Sequence, residues 1–423
     1  MPYINLRVRE VTSSRDLMAF IKLPWRIYKG DPYWVPPLIS ERKEFLDPRK
    51  NPSFQHMEVT YFLVEGVHKP EYSTPVPLAP GTLMPAPIIE EGPVGRIAAF
   101  INHLYNEVHD EQVGFFGFFE SVNDPDVAHL LLETACNWVA ERGMHTIIGP
   151  MNFSTNDECG MLIDGFNSPP TILMPYNPPY YPELVESYGF EKAMDLLAYM
   201  IDNSAYRSID DLPPKLIRVV NAVRKRHPEV RVRPANIADF ANELRRLKAV
   251  YNRAWEKNWG FVPLTDEEID HMAKAMRPLV DPDLVYFAEV RKNGEWEPIA
   301  VSITLPDYYQ VLKHLNGRLF PFGWLKFLWY RRKIDTARVF ALGVVHEWHG
   351  RGIDALLYYE TAKVLFAKGY RRAEMSWILE NNVMMNRSVQ FFGGIPYKRY
   401  RIYQKSLDNG GGHAVSSEVV HSI

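Results

Sequence analysis

Two glycines one residue apart, Gly350 and Gly352, mark a stretch in which the backbone alone could do chemistry. They lie in Leu342-Gly343-Val344-Val345-His346-Glu347-Trp348-His349-Gly350-Arg351-Gly352-Ile353-Asp354-Ala355, between an apolar, strand-like run and the helix-like run Ala355–Lys368. A glycine-rich turn exposes backbone N–H groups, and the helix that follows directs its positive end to the same point. Together these donors form a cradle for a pyrophosphate, built from His349, Gly350, Arg351, Gly352, Ile353 and Asp354. A carboxylate at a helix N-terminus, such as Asp354, is favourable in itself but repels a bound phosphate. The competing reading is an empty loop capped by its own carboxylate.

Three polar groups in the first half could serve a different step. Asn102, His103, Asn106, Glu107 and His109 crowd a turn between apolar runs; Glu120 ends the aromatic run GFFGFFE; and Asn152-Phe153-Ser154-Thr155-Asn156-Asp157-Glu158 follows the strand-like His145–Gly149. All three can converge at the carboxyl ends of strands, where open α/β sheets hold ligands. There Glu120, Asp157, Glu158 or His103 could act as general base toward an amine. Glu347 is the candidate in the second half. The plain alternative is that turns are polar and that Asn, Asp and Ser cap helices. A His/His/Glu metal site has no diagnostic spacing, and no metal is expected.

These residues need strands and helices to hold them, and the chain supplies them twice. Leu6–Arg9 and Val230–Arg233 alternate apolar and polar residues and lead into capped helices. Tyr188-Gly189-Phe190 precedes the strand-like Leu196–Met200, and Gly393-Gly394-Ile395 precedes Tyr397–Tyr403. Val113–Glu120 reads as a strand feeding a helix started by Asn123-Asp124-Pro125, and Arg338–Val345 reads as its counterpart ahead of the glycine turn. Asn293-Gly294 marks a tight hairpin. The expectation is an α/β chain of two repeats (1–204 and 216–406), a linker at 205–215, a disordered tail at 407–423, and a separate mixed sheet in each half. The proline-rich stretch 70–93 reads as a long irregular loop.

The strand–glycine turn–helix segment resembles the acyl-CoA signature of GNAT (GCN5-related N-acetyltransferase-like) proteins, Gln/Arg-x-x-Gly-x-Gly/Ala. The resemblance implies acetyl-CoA or a longer acyl-CoA as co-substrate. It also implies that a backbone amide near Val344 and Val345 polarises the thioester carbonyl. Asn382, with Met385 and Gly393, fits a later element of that family as a ligand contact, or else simply caps its helix. The chain departs from the pattern in three places. His349 stands where Gln or Arg is usual, Asp354 where Gly or Ala is usual, and Val389 where a Tyr proton donor is frequent. The first half has no glycine turn after its matching strand, so acyl-CoA is expected in the second half alone.

Other stretches resemble one bacterial GNAT-like family of this length, some of whose members are similar to bacterial ceramide synthases. These are Asp31–Leu38, Gly114–Glu120, Gly149–Phe166 and Met174–Tyr181. This resemblance implies an acyl-CoA-dependent N-acyltransferase acting on a lipid-like, sphingoid-type amine. The alternatives are a Fem-like aminoacyl transferase, whose long helical arm is missing here, and a degenerate pair that only binds a ligand.

Bulk composition narrows the rest. The chain has 423 residues, 46% hydrophobic and 23% charged, with a net charge of -3, so no basic field points to nucleic acid. Two cysteines, Cys136 and Cys159, fit a reducing cytoplasm better than a disulfide framework. Leu319-Phe320-Pro321-Phe322-Gly323-Trp324-Leu325-Lys326-Phe327-Leu328-Trp329-Tyr330 is aromatic-rich, and Arg331-Arg332-Lys333 follows at once. An apolar stretch with a basic flank is the pattern of an interfacial anchor, which predicts a peripheral contact with the inner face of a membrane. A core-covering helix or a dimer contact is the other reading.

Overall fold

The computed structural model describes residues 2–69, 71, 87–202, 211–212 and 214–407. Most of the proline-rich connection, most of the linker and nearly all of the expected tail lie outside the described residues.

Thirteen strands form one mixed sheet. They are β1 (Tyr3–Glu10), β2 (Met57–His68), β3 (Glu91–Asn102), β4 (Val113–Ser121), β5 (Thr146–Gly149), β6 (Met161–Asp164), β7 (Glu191–Asp202), β8 (Val230–Pro234), β9 (Val285–Lys292), β10 (Glu295–Pro306), β11 (Thr336–Val344), β12 (Arg372–Leu379) and β13 (Ile395–Ser406). The order across the sheet is β1-β2-β3-β4-β5-β13-β7-β12-β11-β10-β9-β8, with β6 pairing β13 off this path. Each half contributes an antiparallel run ending in one parallel pair, β4 with β5 and β11 with β12.

The strands that close the two halves are exchanged. The last strand of the first half, β7, pairs with β12 of the second, while the last strand of the second half, β13, pairs with β5 of the first. At the centre β7 and β13 pair with each other, antiparallel. This corrects the expectation of two separate sheets. The side chains follow the exchange. Tyr400, Ile402 and Tyr403 of β13 are fully buried in the core of the first half, and Tyr199 of β7 packs with Val339, Tyr358 and Met375 of the second.

Local chemistry accounts for the elements that hold the site. Asn293 and Gly294 both adopt positive φ, as a two-residue hairpin requires. The helix Pro125–Ala140 starts at Asp124, whose carboxylate accepts the N–H of Asp126, with proline in its first turn. Its buried face, including Val127, Leu131, Ala135 and Val139, covers β3 and β4. The helix Ile353–Ala367 starts differently. Its N-cap is Gly352 at φ 80°, which offers no side chain; the Asp354 carboxylate in the first turn accepts from its own N–H and that of Ala355 instead.

Candidate functional site

In the second half the parallel pairing of β11 and β12 runs from Thr336/Arg372 to Val339/Met375 and then stops. Beyond it, Phe340–Val344 and Ser376–Leu379 part and line a cavity of about 1170 Å³. On the glycine-turn side, His349, Gly350, Gly352, Ile353 and Asp354 line the same cavity, as do Asn382 and Tyr358. On the first-half side, Asn152, Asp157 and Glu158 reach it, with Arg42 from far earlier in the chain. The structure therefore brings together the two groups of residues that the sequence left in separate halves.

The glycine turn is open on one side and tightly packed on the other. Gly350 is at φ 69° with open space around it, and a Cβ on Gly352 would lie 2.6 Å from Val223 Cγ2. Only glycine fits both demands at Gly352. His349 Nε2–H donates to the Val344 carbonyl at 2.7 Å and holds the turn against the strand. Burial raises the pKa of Asp354, against hydrogen bonds from nearby backbone N–H groups. This moves the carboxyl toward its neutral form and softens the repulsion expected from it. Arg351 folds over the Trp348 ring at 4.7 Å, outside the cavity lining.

The register of β10 and β11 separates the two amides proposed from sequence. Val344 lies opposite Ala300, and the Val345 N–H donates to the Ile299 carbonyl at 2.9 Å. In an antiparallel ladder that pattern turns the N–H of Val344 away from β10, toward the open cleft. Val345 is buried with its donor already used, so Val344 is the amide that faces the cleft.

Asp157 lines the cavity and accepts a hydrogen bond from Ser154 Oγ at 3.0 Å. Burial, reinforced by the Glu268 and Glu158 carboxylates, pushes its pKa up to about 7. Glu158 is committed elsewhere. Its Oε1 meets Arg42 Nη2 at 2.7 Å and accepts from Tyr309 O–H, and its Oε2 accepts from Asn152 Nδ2. Burial works against the charge on Arg42, but Glu158 and Glu41 outweigh it and hold its pKa above the usual value.

Three further sequence candidates, Glu120, His103 and Glu347, do not join the cavity. Glu120 is buried beside it, paired with Arg96 at 3.3 Å and accepting hydrogen bonds from Tyr28 and Tyr181. Burial raises its pKa, opposed by Arg96 and the two hydroxyls. The pair ties two neighbouring strands together. His103 is exposed and pairs with Glu58, and Glu347 is exposed and pairs with Arg253. Neither lines the cavity. Asn382 lines it and also caps the helix Val383–Phe391, accepting from the Met385 N–H. Val389 is fully buried in the core.

Sequence reasoning missed Arg42, Tyr358, Trp255 and Glu268, all on the cavity wall. Only Tyr358 carried a usable signal, because it lies six residues after Gly352 on the helix that the turn begins. Among the described residues no group of three or more His, Cys, Asp or Glu is placed to hold a metal ion.

A splayed parallel strand pair made twice in one mixed sheet, with exchanged closing strands and a glycine turn in the second half, is the fold of a tandem GNAT protein. The solved tandem GNAT protein from the clavulanic acid biosynthesis pathway matches 95% of this chain and 98% of its own, with TM-score 0.53 and 10% identity. The GCN5-related glucosamine N-acetyltransferase region of a fungal multi-domain β-N-acetylglucosaminidase matches 96% of this chain and 38% of that one, with TM-score 0.53 and 13% identity. Both show the fold, which is one that supports acyl transfer. Two relatives are much closer in sequence. Protein YghO of Escherichia coli (strain K12) is 36% identical over 95% of each chain. Bacterial ceramide synthase of Caulobacter vibrioides is 33% identical over 95% of this chain and 98% of its own. The chain belongs to the tandem GNAT family that contains these two proteins. No family model matches it.

Proposed function

We propose that this protein is an acyl-CoA-dependent N-acyltransferase whose acceptor is a hydrophobic, lipid-like amine. The observation that carries the reading is the single cavity. It joins a glycine turn and the helix N-terminus that follows it to a strand amide facing the cleft and to a carboxyl whose pKa is near neutral. Phosphates of the acyl-CoA substrate would lie at Gly350–Ile353, where the helix start offers N–H donors. The thioester oxygen would take the Val344 N–H, which stabilises the negative charge that develops there. Asp157 would take a proton from the acceptor ammonium and so free the amine lone pair for attack on the thioester carbon, since a pKa near 7 suits a general base at neutral pH. Tyr358 supplies a protonated hydroxyl on the cavity wall, where Val389 supplies none.

The amine class is supported by the lining. Phe45, Trp255, Phe261, Met272, Phe340, Trp377 and Phe392 give the cavity a broad apolar wall, and Met384 and Phe391, also lining residues, are exposed at 70% and 43%. The name of the Caulobacter relative, a ceramide synthase, points the same way.

The test is thermal-shift titration with CoA, acetyl-CoA and long-chain acyl-CoAs, followed by thiol release with short and long-chain amines. Ligand binding raises the melting temperature by mass action. The expected result is a shift with acyl-CoA and thiol release that needs a long-chain amine. No shift with any CoA ligand would overturn the proposal; release with short polar amines only would overturn the lipid-like acceptor.

A further inference from the structure

We propose that the connection between β10 and β11 docks this protein on an anionic lipid bilayer, with the helix Gly323–Tyr330 as the element that enters the headgroup layer. This goes beyond acyl transfer and does not rest on it. The helix buries none of its residues. Phe320, Phe322, Trp324, Leu325, Leu328 and Trp329 are exposed at 43% to 73%, and they make up six of the twelve large apolar side chains exposed among the described residues. So half of that surface is concentrated in ten consecutive positions, a density that marks an interaction site. The segment is held from behind: Phe327 stacks on Tyr308 with centroids 5.6 Å apart, and Tyr330 stacks on His314 at 3.8 Å. Those two rings face the protein and the others face outward. A core-covering helix is thereby excluded.

Charge selects the partner. Lys326, Arg331, Arg332 and Lys333 are exposed on and after the helix, and Lys313 is exposed nearby. The pKa of His314 is lowered, by burial first and then by Lys313, Lys326 and Lys333, with no carboxylate offsetting them at that ring. A second copy docking face to face would set these five cations against five more, because a two-fold contact presents the same patch on both sides. An anionic bilayer meets both features at once, taking the aromatic rings between its headgroups and the cations at its phosphates. The helix also adjoins the site. Tyr308 lies under Phe327, and its neighbour Tyr309 donates to Glu158 on the cavity wall.

Co-sedimentation of the full chain with vesicles tests this, using phosphatidylcholine alone and phosphatidylcholine mixed with phosphatidylserine, at low and high salt. The expected result is pelleting with the mixed vesicles at low salt and release at high salt. Replacing Arg331, Arg332 and Lys333 together by Ala should weaken binding roughly a hundredfold, at one headgroup attraction per cation. Trp329→Glu or the pair Phe320→Ser and Phe322→Ser should also release the protein, and the exposed positions leave melting temperature unchanged. Equal pelleting of wild type with neutral vesicles, wild type left in the supernatant, or pelleting indifferent to these substitutions would each overturn the proposal. So would a dimer seen by light scattering that Trp329→Glu dissociates, since a second copy would then cover the face.

Discussion

The two halves hold the same splayed parallel pair and use it in opposite ways. In the second half β11 and β12 separate after Val339/Met375 and leave a cavity. In the first, β4 and β5 separate after Phe115/Ile148, but the chain that leaves β5 turns back into the gap. Met151 N–H donates to the Phe116 carbonyl at 2.9 Å, and Asn152 Oδ1 accepts the Phe118 N–H at 2.9 Å. The helix starts differ in the same sense. At Pro125–Ala140 the Asp124 carboxylate accepts from Asp126 and Tyr3 N–H groups, whereas the other helix starts at Gly352 and turns its own Asp354 carboxylate onto its first N–H groups. One half fills its gap with its own chain; the other leaves the gap open as a cavity. The difference teaches that a repeated fold keeps its cleft only where the returning chain does not bond into it.

The largest expected effect is at glycine. A Cβ on Gly117 would lie 1.8 Å from the Met151 carbonyl oxygen, so Gly117→Ala should destabilise by more than roughly 4 kcal/mol. Gly352→Glu should cost less stability, because it meets the Val223 side chain rather than backbone, and should abolish CoA binding by the folded protein in a thermal-shift titration. If Gly117→Ala folds normally and Gly352→Glu still binds, the comparison between filled and open clefts fails.

Asp157→Asn should lower kcat roughly 100- to 10,000-fold while the fold survives. In the wild type, kcat/KM should rise with pH through about 7, as the carboxyl ionises, and the variant should lose that inflection. Stability should move the other way. The folded pKa lies above the unfolded value of 3.8, so the native state binds more protons between about 4 and 7. Stability therefore falls as pH rises through that window, and Asp157→Asn should flatten the slope in denaturant titrations.

Glu120→Gln sharpens the contrast between charge that works and charge that holds. Loss of its pairing with the buried Arg96 should cost roughly 3 kcal/mol, read as a lower melting temperature, with kcat per folded molecule unchanged. The smallest effect is Asp354→Gly, which should leave acyl-CoA affinity intact or slightly tighter. A loss of about tenfold or more in calorimetry would mean that the carboxyl itself touches the ligand.

How much of this was legible varies with range. The strand, glycine turn and helix of the second half could be read because Gly350 and Gly352 signal their backbone locally. Asp157 and Glu158 could be read as polar, but not ranked, because the Arg42 that ties up Glu158 lies 116 positions away. Glu120 could be read as a polar end to an aromatic strand, and its partner was in view: Arg96 interrupts an apolar strand, and a buried guanidinium calls for a carboxylate beside it. The exchange of β7 and β13 left no local trace. Alternating residues specify a strand and its buried face, whereas the partner is chosen by the tertiary fold.

That exchange has a consequence for synthesis on the ribosome. Domains usually fold as units, the N-terminal one first, while the rest of the chain is still being made. Here the first half cannot complete its sheet until residues 395–406 have emerged, since β13 is the strand that pairs with β5. Until then β5 presents an open edge of the kind that invites mispairing between nascent chains. The exchange thus ties completion of either half's sheet to the presence of the other, since β7 pairs with β12 and β13 with β5.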